Sequence, residues 1–126
     1  MARILVLDDD RLLREAVRAL LESARYDVIE AADGDAGLRL YREQGADLVL
    51  VDIFMPERDG LEVIRTLRAE APQALIIAMS GGGRLVKVDL LQAAARFGAS
   101  RTLAKPFEPR TLLSAVHGLL HQREPT

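Results

Sequence analysis

Cysteine is absent from the 126 residues, which excludes a disulfide scaffold and any Cys-ligated zinc site. The chain also lacks an excess of positive charge: 17 Lys+Arg stand against 19 Asp+Glu, a formal net charge of −2. Without a basic footprint there is no electrostatic reason to hold nucleic acid or an anionic membrane. No apolar run approaches the length of a membrane span, about 18 residues. The start, Met1-Ala-Arg-Ile-Leu-Val-Leu-Asp8, turns acidic too soon for a secretory signal peptide. Internal repeats, linkers and low-complexity segments are missing as well. What is present is ordinary for a folded domain, 49% hydrophobic and 29% charged, with length enough to bury roughly two-thirds of the unfolded surface. These features predict one soluble, cytoplasmic domain over residues 1–126, with a core at about 3–122.

Two periodicities alternate along the chain. Ile4–Leu7 and Leu48–Val51 are all-apolar runs that read as strands buried on both faces. Leu75–Met79 gives a third such run, with weaker strands at Val28–Ile29 and Arg101–Ala104. Between them, Leu13, Ala16, Val17, Leu20, Leu21 and Ala24 line one side of a helix over Arg11–Ala24. A second helix runs from Asp33-Gly34 to about Glu43. Asp59-Gly-Leu-Glu62 reads as a capping box opening a third, which passes through Ala69 and stops before Pro72. The glycines Gly81–Gly83 read as a mobile loop, followed by a helix from Val86 to Arg96 with Gly98 as its cap. Pro109 opens a last helix with a stripe of Leu112, Leu113, Val116, Leu119 and Leu120, and Arg123–Thr126 reads as a frayed tail. Strict strand–helix alternation predicts an α/β fold, a (βα)5 flavodoxin-like three-layer sandwich whose parallel five-stranded sheet has the order 2-1-3-4-5. Ligands of such sheets bind beyond the carboxyl ends of the strands, at the switch point between strands 1 and 3.

Those ends carry the chemistry. Strand 1 ends in Asp8-Asp9-Asp10, strand 3 in Asp52, strand 4 in Ser80, and strand 5 leads into Lys105-Pro106. Asp10 reads as a helix N-cap, and Asp8 with Asp9 as ligands of a cation. Carboxylates crowded together repel unless a cation shares them, and hard oxygens with no sulfur favour Mg²⁺, or Mn²⁺ as an alternative. A carboxylate beside a divalent cation, an ammonium and a hydroxyl suits phosphoryl chemistry, in which the carboxylate itself can be the nucleophile. Asp52, the single acid opposite the pair, is the candidate. Taken alone, each of Asp52, Ser80 and Lys105 would be an ordinary loop or surface residue. His117 and His121, four apart on the last helix, read as a solvated pair, since no third ligand is in view.

At these residues the chain resembles the receiver domain of bacterial two-component response regulators, of the single-domain type. The resemblance rests on Ile4-Leu-Val-Leu-Asp-Asp9, Asp52-Ile-Phe-Met-Pro-Glu-Arg-Asp-Gly60, Ile76-Ile-Ala-Met-Ser80 and Lys105-Pro-Phe107 in that order. It implies that Asp52 accepts a phosphoryl group from the phosphohistidine of a sensor histidine kinase or phosphotransfer protein. Mg²⁺ would be held by Asp8, Asp9, Asp52 and the Phe54 carbonyl. Ser80 would hydrogen-bond the phosphoryl group, Lys105 would pair with it, and the Lys105–Pro106 bond would be cis. It further implies a signalling phosphoacceptor that assists its own phosphotransfer and dephosphorylation, not an enzyme, acting as a monomer or weak dimer on a downstream protein target. Neither nucleic acid nor membrane is a direct partner. With no effector domain after the last helix, output would come from partner binding or phosphate relay.

Three positions depart from the family pattern. Thr102 stands where an aromatic residue is usual, three positions before the lysine, so the ring-rotation switch is not available. Ser100 and Arg101 replace acids common in the winged-helix transcription-factor branch, which weighs against dimerisation through that branch's salt-bridged face. Two other classes compete. An aspartate-nucleophile phosphatase of the haloacid dehalogenase type would want a second Asp two residues after Asp52, where Phe54 sits. A phosphorylation-independent interaction module with a vestigial acidic site would not need all six groups.

Overall fold

Aliphatic runs build the centre of the sheet, and polar residues begin where those runs stop. The computed structural model describes residues 1–53, 55, 60–81 and 84–123, the side chains of 84–90 and 123 excepted. Along them β1 (Arg3–Leu7), α1 (Arg11–Ser23), β2 (Asp27–Ala31), α2 (Gly34–Gln44) and β3 (Leu48–Asp52) come first. They are followed by α3 (Gly60–Glu70), β4 (Ile76–Ser80), α4 (Arg84–Phe97), β5 (Arg101–Ala104) and α5 (Pro109–Arg123). All pairings are parallel, in the order β2-β1-β3-β4-β5, as the alternation of strands and helices predicts.

Strand alternation divides the aliphatic residues between two cores. Leu5, Leu7, Val49, Val51, Ile76 and Ala78 pack against Leu38 of α2, Val63, Ile64 and Leu67 of α3 and Ala94 of α4. Ile4, Val6, Leu48, Leu50, Ile77, Met79 and Leu103 pack the other way, on Val17 and Leu21 of α1 and Leu112, Val116 and Leu119 of α5. Three layers result, with the sheet buried on both sides. That burial is why the central strands carry no alternating polar residue.

Several boundaries differ from the sequence reading. β2 contains the expected Val28–Ile29 and spans five residues, because parallel pairing with β1 runs from Arg3↔Asp27 to Leu7↔Ala31. β4 starts at Ile76, one residue later than the apolar run, and ends in Ser80 as expected. α3 extends to Glu70, α4 starts at Arg84, and Arg123 belongs to α5 rather than to a tail. Ala16 and Ala24 are exposed. Ala16 lies at the edge of the stripe, and Ala24 has already left helical geometry as the C-cap, with φ −92° and ψ 11°. Gly98 does cap α4, at φ +121°, with its N–H donating to the Ala94 carbonyl. The Asp59 capping box, Gly82, Gly83 and residues 124–126 lie outside the described residues.

Candidate functional site

Register alone brings the chemistry together. Leu7 pairs with Val51, Asp52 with Met79 and Ser80 with Ala104. The next residue along each strand therefore falls at one sheet edge. Asp52 continues the alternation of Leu48 and Leu50, Asp8 that of Ile4 and Val6, and Lys105 that of Leu103, all toward the α1/α5 side. Ser80 continues Ile76 and Ala78, toward the opposite side. The side chains follow this parity. Lys105 Nζ donates to Asp8 Oδ2 at 2.9 Å and to Asp52 Oδ2 at 3.2 Å, whereas Ser80 Oγ donates to the Gly81 carbonyl at 3.1 Å.

Asp8, Asp52 and Ser80 are buried, at 1%, 4% and 0% exposure, and Asp9 is open to solvent. Asp8 Oδ1 also accepts from the Asp10 N–H at 2.9 Å, and its carbonyl accepts from Arg14 Nη1 at 2.8 Å. Asp10 is the N-cap of α1, accepting from the Leu13 N–H at 3.2 Å, so the three successive aspartates have separate tasks. Burial alone lowers the pKa of the Lys105 ammonium, but the hydrogen bond to Asp8 and the charge of Asp52 outweigh it. The net effect is a pKa above the ordinary lysine range. The lysine is thus held as a cation between two carboxylates. The Lys105–Pro106 bond is cis.

Asp8, Asp9 and Asp52 each present one carboxylate oxygen, all within 4.8 Å of one another. Three carboxylates against one ammonium leave an excess of negative charge, two members of it buried. Hard oxygens at that spread fit a single small divalent cation. The Phe54 carbonyl lies outside the described residues. His117 and His121 stand on the exposed side of α5 with ring centroids 3.9 Å apart, and among the described residues no third ligand joins them. Thr102 is exposed.

The sequence reading singled out neither Arg14 of α1 nor Glu30 of β2. In the fold they meet, Arg14 Nε donating to Glu30 Oε1 at 2.9 Å. An arginine on one element and an acid on the next strand carry no periodic signature, so only the fold reveals the pair.

Residues 4–117 match the family described as response regulator receiver domain. The chain is 35% identical to Protein CcdB of Bacillus subtilis (strain 168) over 117 residues, covering 92% of this chain and 95% of that one. It is 33% identical to Transcriptional regulatory protein ResD of the same organism over 124 residues, covering 98% of this chain but 50% of ResD, about half its length. A crystal structure of a CheY-like response regulator receiver domain protein from Methanospirillum hungatei JF-1 superposes with a TM-score of 0.89 at 28% identity, covering 97% of this chain and 95% of the other. Among the described residues no helix is long and apolar enough to cross a membrane.

Proposed function

The chain belongs to the response regulator receiver domain family of two-component signalling, and from that premise we propose that Asp52 is its phosphoacceptor. An Asp52 carboxylate oxygen attacks the phosphorus of a phosphohistidine on a sensor kinase or phosphotransfer protein. The P–N bond breaks, the imidazole leaves, and an acyl phosphate remains on Asp52. Lys105, already 3.2 Å from Asp52 Oδ2 and held as a cation, pairs with a phosphoryl oxygen. Asp8, Asp9 and Asp52 would hold Mg²⁺, or Mn²⁺, which when bound neutralises phosphoryl charge. Ser80 donates its hydroxyl to the phosphoryl group after giving up the Gly81 carbonyl. The new dianion draws the loop after Ser80 inward, and the altered surface beside β5 signals to a downstream protein.

The observation that carries this reading is the placement of Asp52: buried, at the switch point, with Asp8 at the end of the neighbouring strand and Lys105 in contact. The test is phosphoryl uptake from acetyl phosphate or phosphoramidate with Mg²⁺, followed by intact mass. The unsubstituted chain gains one acid-labile phosphoryl group and Asp52→Asn gains none. Full labelling of Asp52→Asn overturns the assignment. No labelling of the unsubstituted chain favours a phosphorylation-independent interaction module.

A further inference from the structure

One guanidinium links the acidic cluster to the far edge of the sheet. Arg14 Nη1 donates to the Asp8 carbonyl at 2.8 Å, while its Nε donates to Glu30 Oε1 on β2 at 2.9 Å. Both side chains are largely covered, at 15% and 21% exposure. Glu30 is anchored on its second oxygen too, by Arg18 Nη1 at 2.5 Å. The carbonyl that Arg14 grips belongs to the peptide joining Asp8 to Asp9. Its plane sets the direction in which Asp9 leaves the strand. Asp8 has three other restraints: its N–H on the Ala31 carbonyl at 3.1 Å, the Asp10 N–H and the Lys105 ammonium on its carboxylate. Asp9 is exposed, so the backbone is what aims its carboxylate.

We propose that Arg14, braced by Glu30, is a positioning residue: it fixes the Asp8–Asp9 peptide so that both carboxylates meet one divalent cation with Asp52. The inference rests on the reading above that this cluster holds such a cation. Charge and geometry make opposite predictions here. A guanidinium beside the cluster repels a divalent cation, so removing it through charge alone tightens binding. Losing the grip on the peptide weakens binding instead. Arg18 supplies the control, because it shares Glu30 with Arg14 while its described hydrogen bonds go to Glu22 and Glu30 rather than to Asp8.

The experiment is Mg²⁺ calorimetry and Mn²⁺ electron paramagnetic resonance on the full chain, with thermal melts in chelator to confirm folding. Arg14→Met should weaken both cations by roughly tenfold, the usual size for loss of a group that orients a metal ligand. It should also shift the Asp9 amide resonance, while Arg18→Met stays within about twofold of the parent. Arg14→Lys keeps the charge but replaces the separate Nε and Nη1 donors of the planar fork by one ammonium nitrogen, so it should recover only part of the loss. Unchanged or tighter binding by Arg14→Met overturns the inference. If Arg14→Met does not fold, unchanged binding by Arg14→Lys does so. At saturating Mg²⁺, Arg14→Met should still be labelled on Asp52, so failure of the inference leaves the phosphoacceptor reading intact. No cation binding by the unsubstituted chain removes the metal reading and the inference with it.

Discussion

Lys105 is the residue on which two buried acids depend. Its ammonium sits 2.9 Å from Asp8 and 3.2 Å from Asp52, and deleting one member of such a cluster leaves uncompensated charge. Lys105→Met should lower metal-free stability by about 2 kcal/mol, below the roughly 3–5 kcal/mol of a fully dry pair because the lysine keeps some solvent contact. It should also tighten Mg²⁺, because a competing cation is gone. Denaturant melts with and without Mg²⁺ check both, and equal loss under the two conditions would contradict this account of the site's charge. Glu30 supplies the pH dependence. Its hydrogen bond from Arg18 holds its carboxyl below the ordinary glutamate range, with Arg14 adding to this and burial opposing it. A carboxyl whose folded pKa is depressed contributes stability above its unfolded pKa, about 4.3, and loses it as pH falls through the lower folded value. The gap in Tm between the parent and Glu30→Gln should therefore be widest at neutral pH and close below about pH 4. A gap that is constant with pH would mean Glu30 acts by packing alone.

At the scale of elements, α3 fixes how β3 delivers Asp52. A Cβ on Gly60 would stand 2.4 Å from both the Asp52 carbonyl oxygen and the Ile53 Cα. The first turn of α3 touches the backbone of Asp52, so only glycine fits. Both clashing atoms are backbone and cannot step aside. Gly60→Ala should cost more than about 2 kcal/mol and slow phosphoryl uptake even where the protein remains folded. Labelling rates normalised to folded fraction test this, and parent-like rates would show that Asp52 is positioned independently of α3. The loop after β4 is the complementary, yielding element. On the proposed function Ser80 would exchange the Gly81 carbonyl for the phosphoryl group, and Thr102 offers no ring to rotate. Amide exchange with beryllofluoride, a mimic of the phosphoryl group, should alter protection over residues 81–103. Change confined to Asp8, Asp9 and Asp52 would rule out this route to a partner surface.

For the whole molecule, a divalent cation shared by the acidic cluster would, on the proposed reading, favour the folded chain. Mg²⁺ bound only by the folded chain should stabilise it by about 2.7 kcal/mol once free cation stands roughly a hundredfold above its Kd. The rise in Tm should be largely lost in Asp9→Asn, which removes one of the three oxygens. An equal rise in both would assign the effect to ionic strength. Much of this molecule was legible without a fold. Aliphatic runs too short for helices and too apolar for exposed strands can only be buried parallel strands, and their alternation with amphipathic helices leaves few topologies. The position of Asp8, Asp9, Asp52, Ser80 and Lys105 at strand ends followed from those same runs, because the chemistry begins where the apolar residues stop. Strand 2 was legible only in part: its polar Asp27 and Glu30 break the apolar signal, and pairing with β1 supplies what local sequence does not. Tertiary structure alone decided which groups face one another. Strand parity sends Asp8, Asp52 and Lys105 to one side of the sheet edge and Ser80 to the other. Parity becomes direction only when neighbouring strands fix its sign. The Arg14–Glu30 brace is of the same kind: a contact across sixteen residues has no period to read, and it exists because a helix and a strand pack side by side.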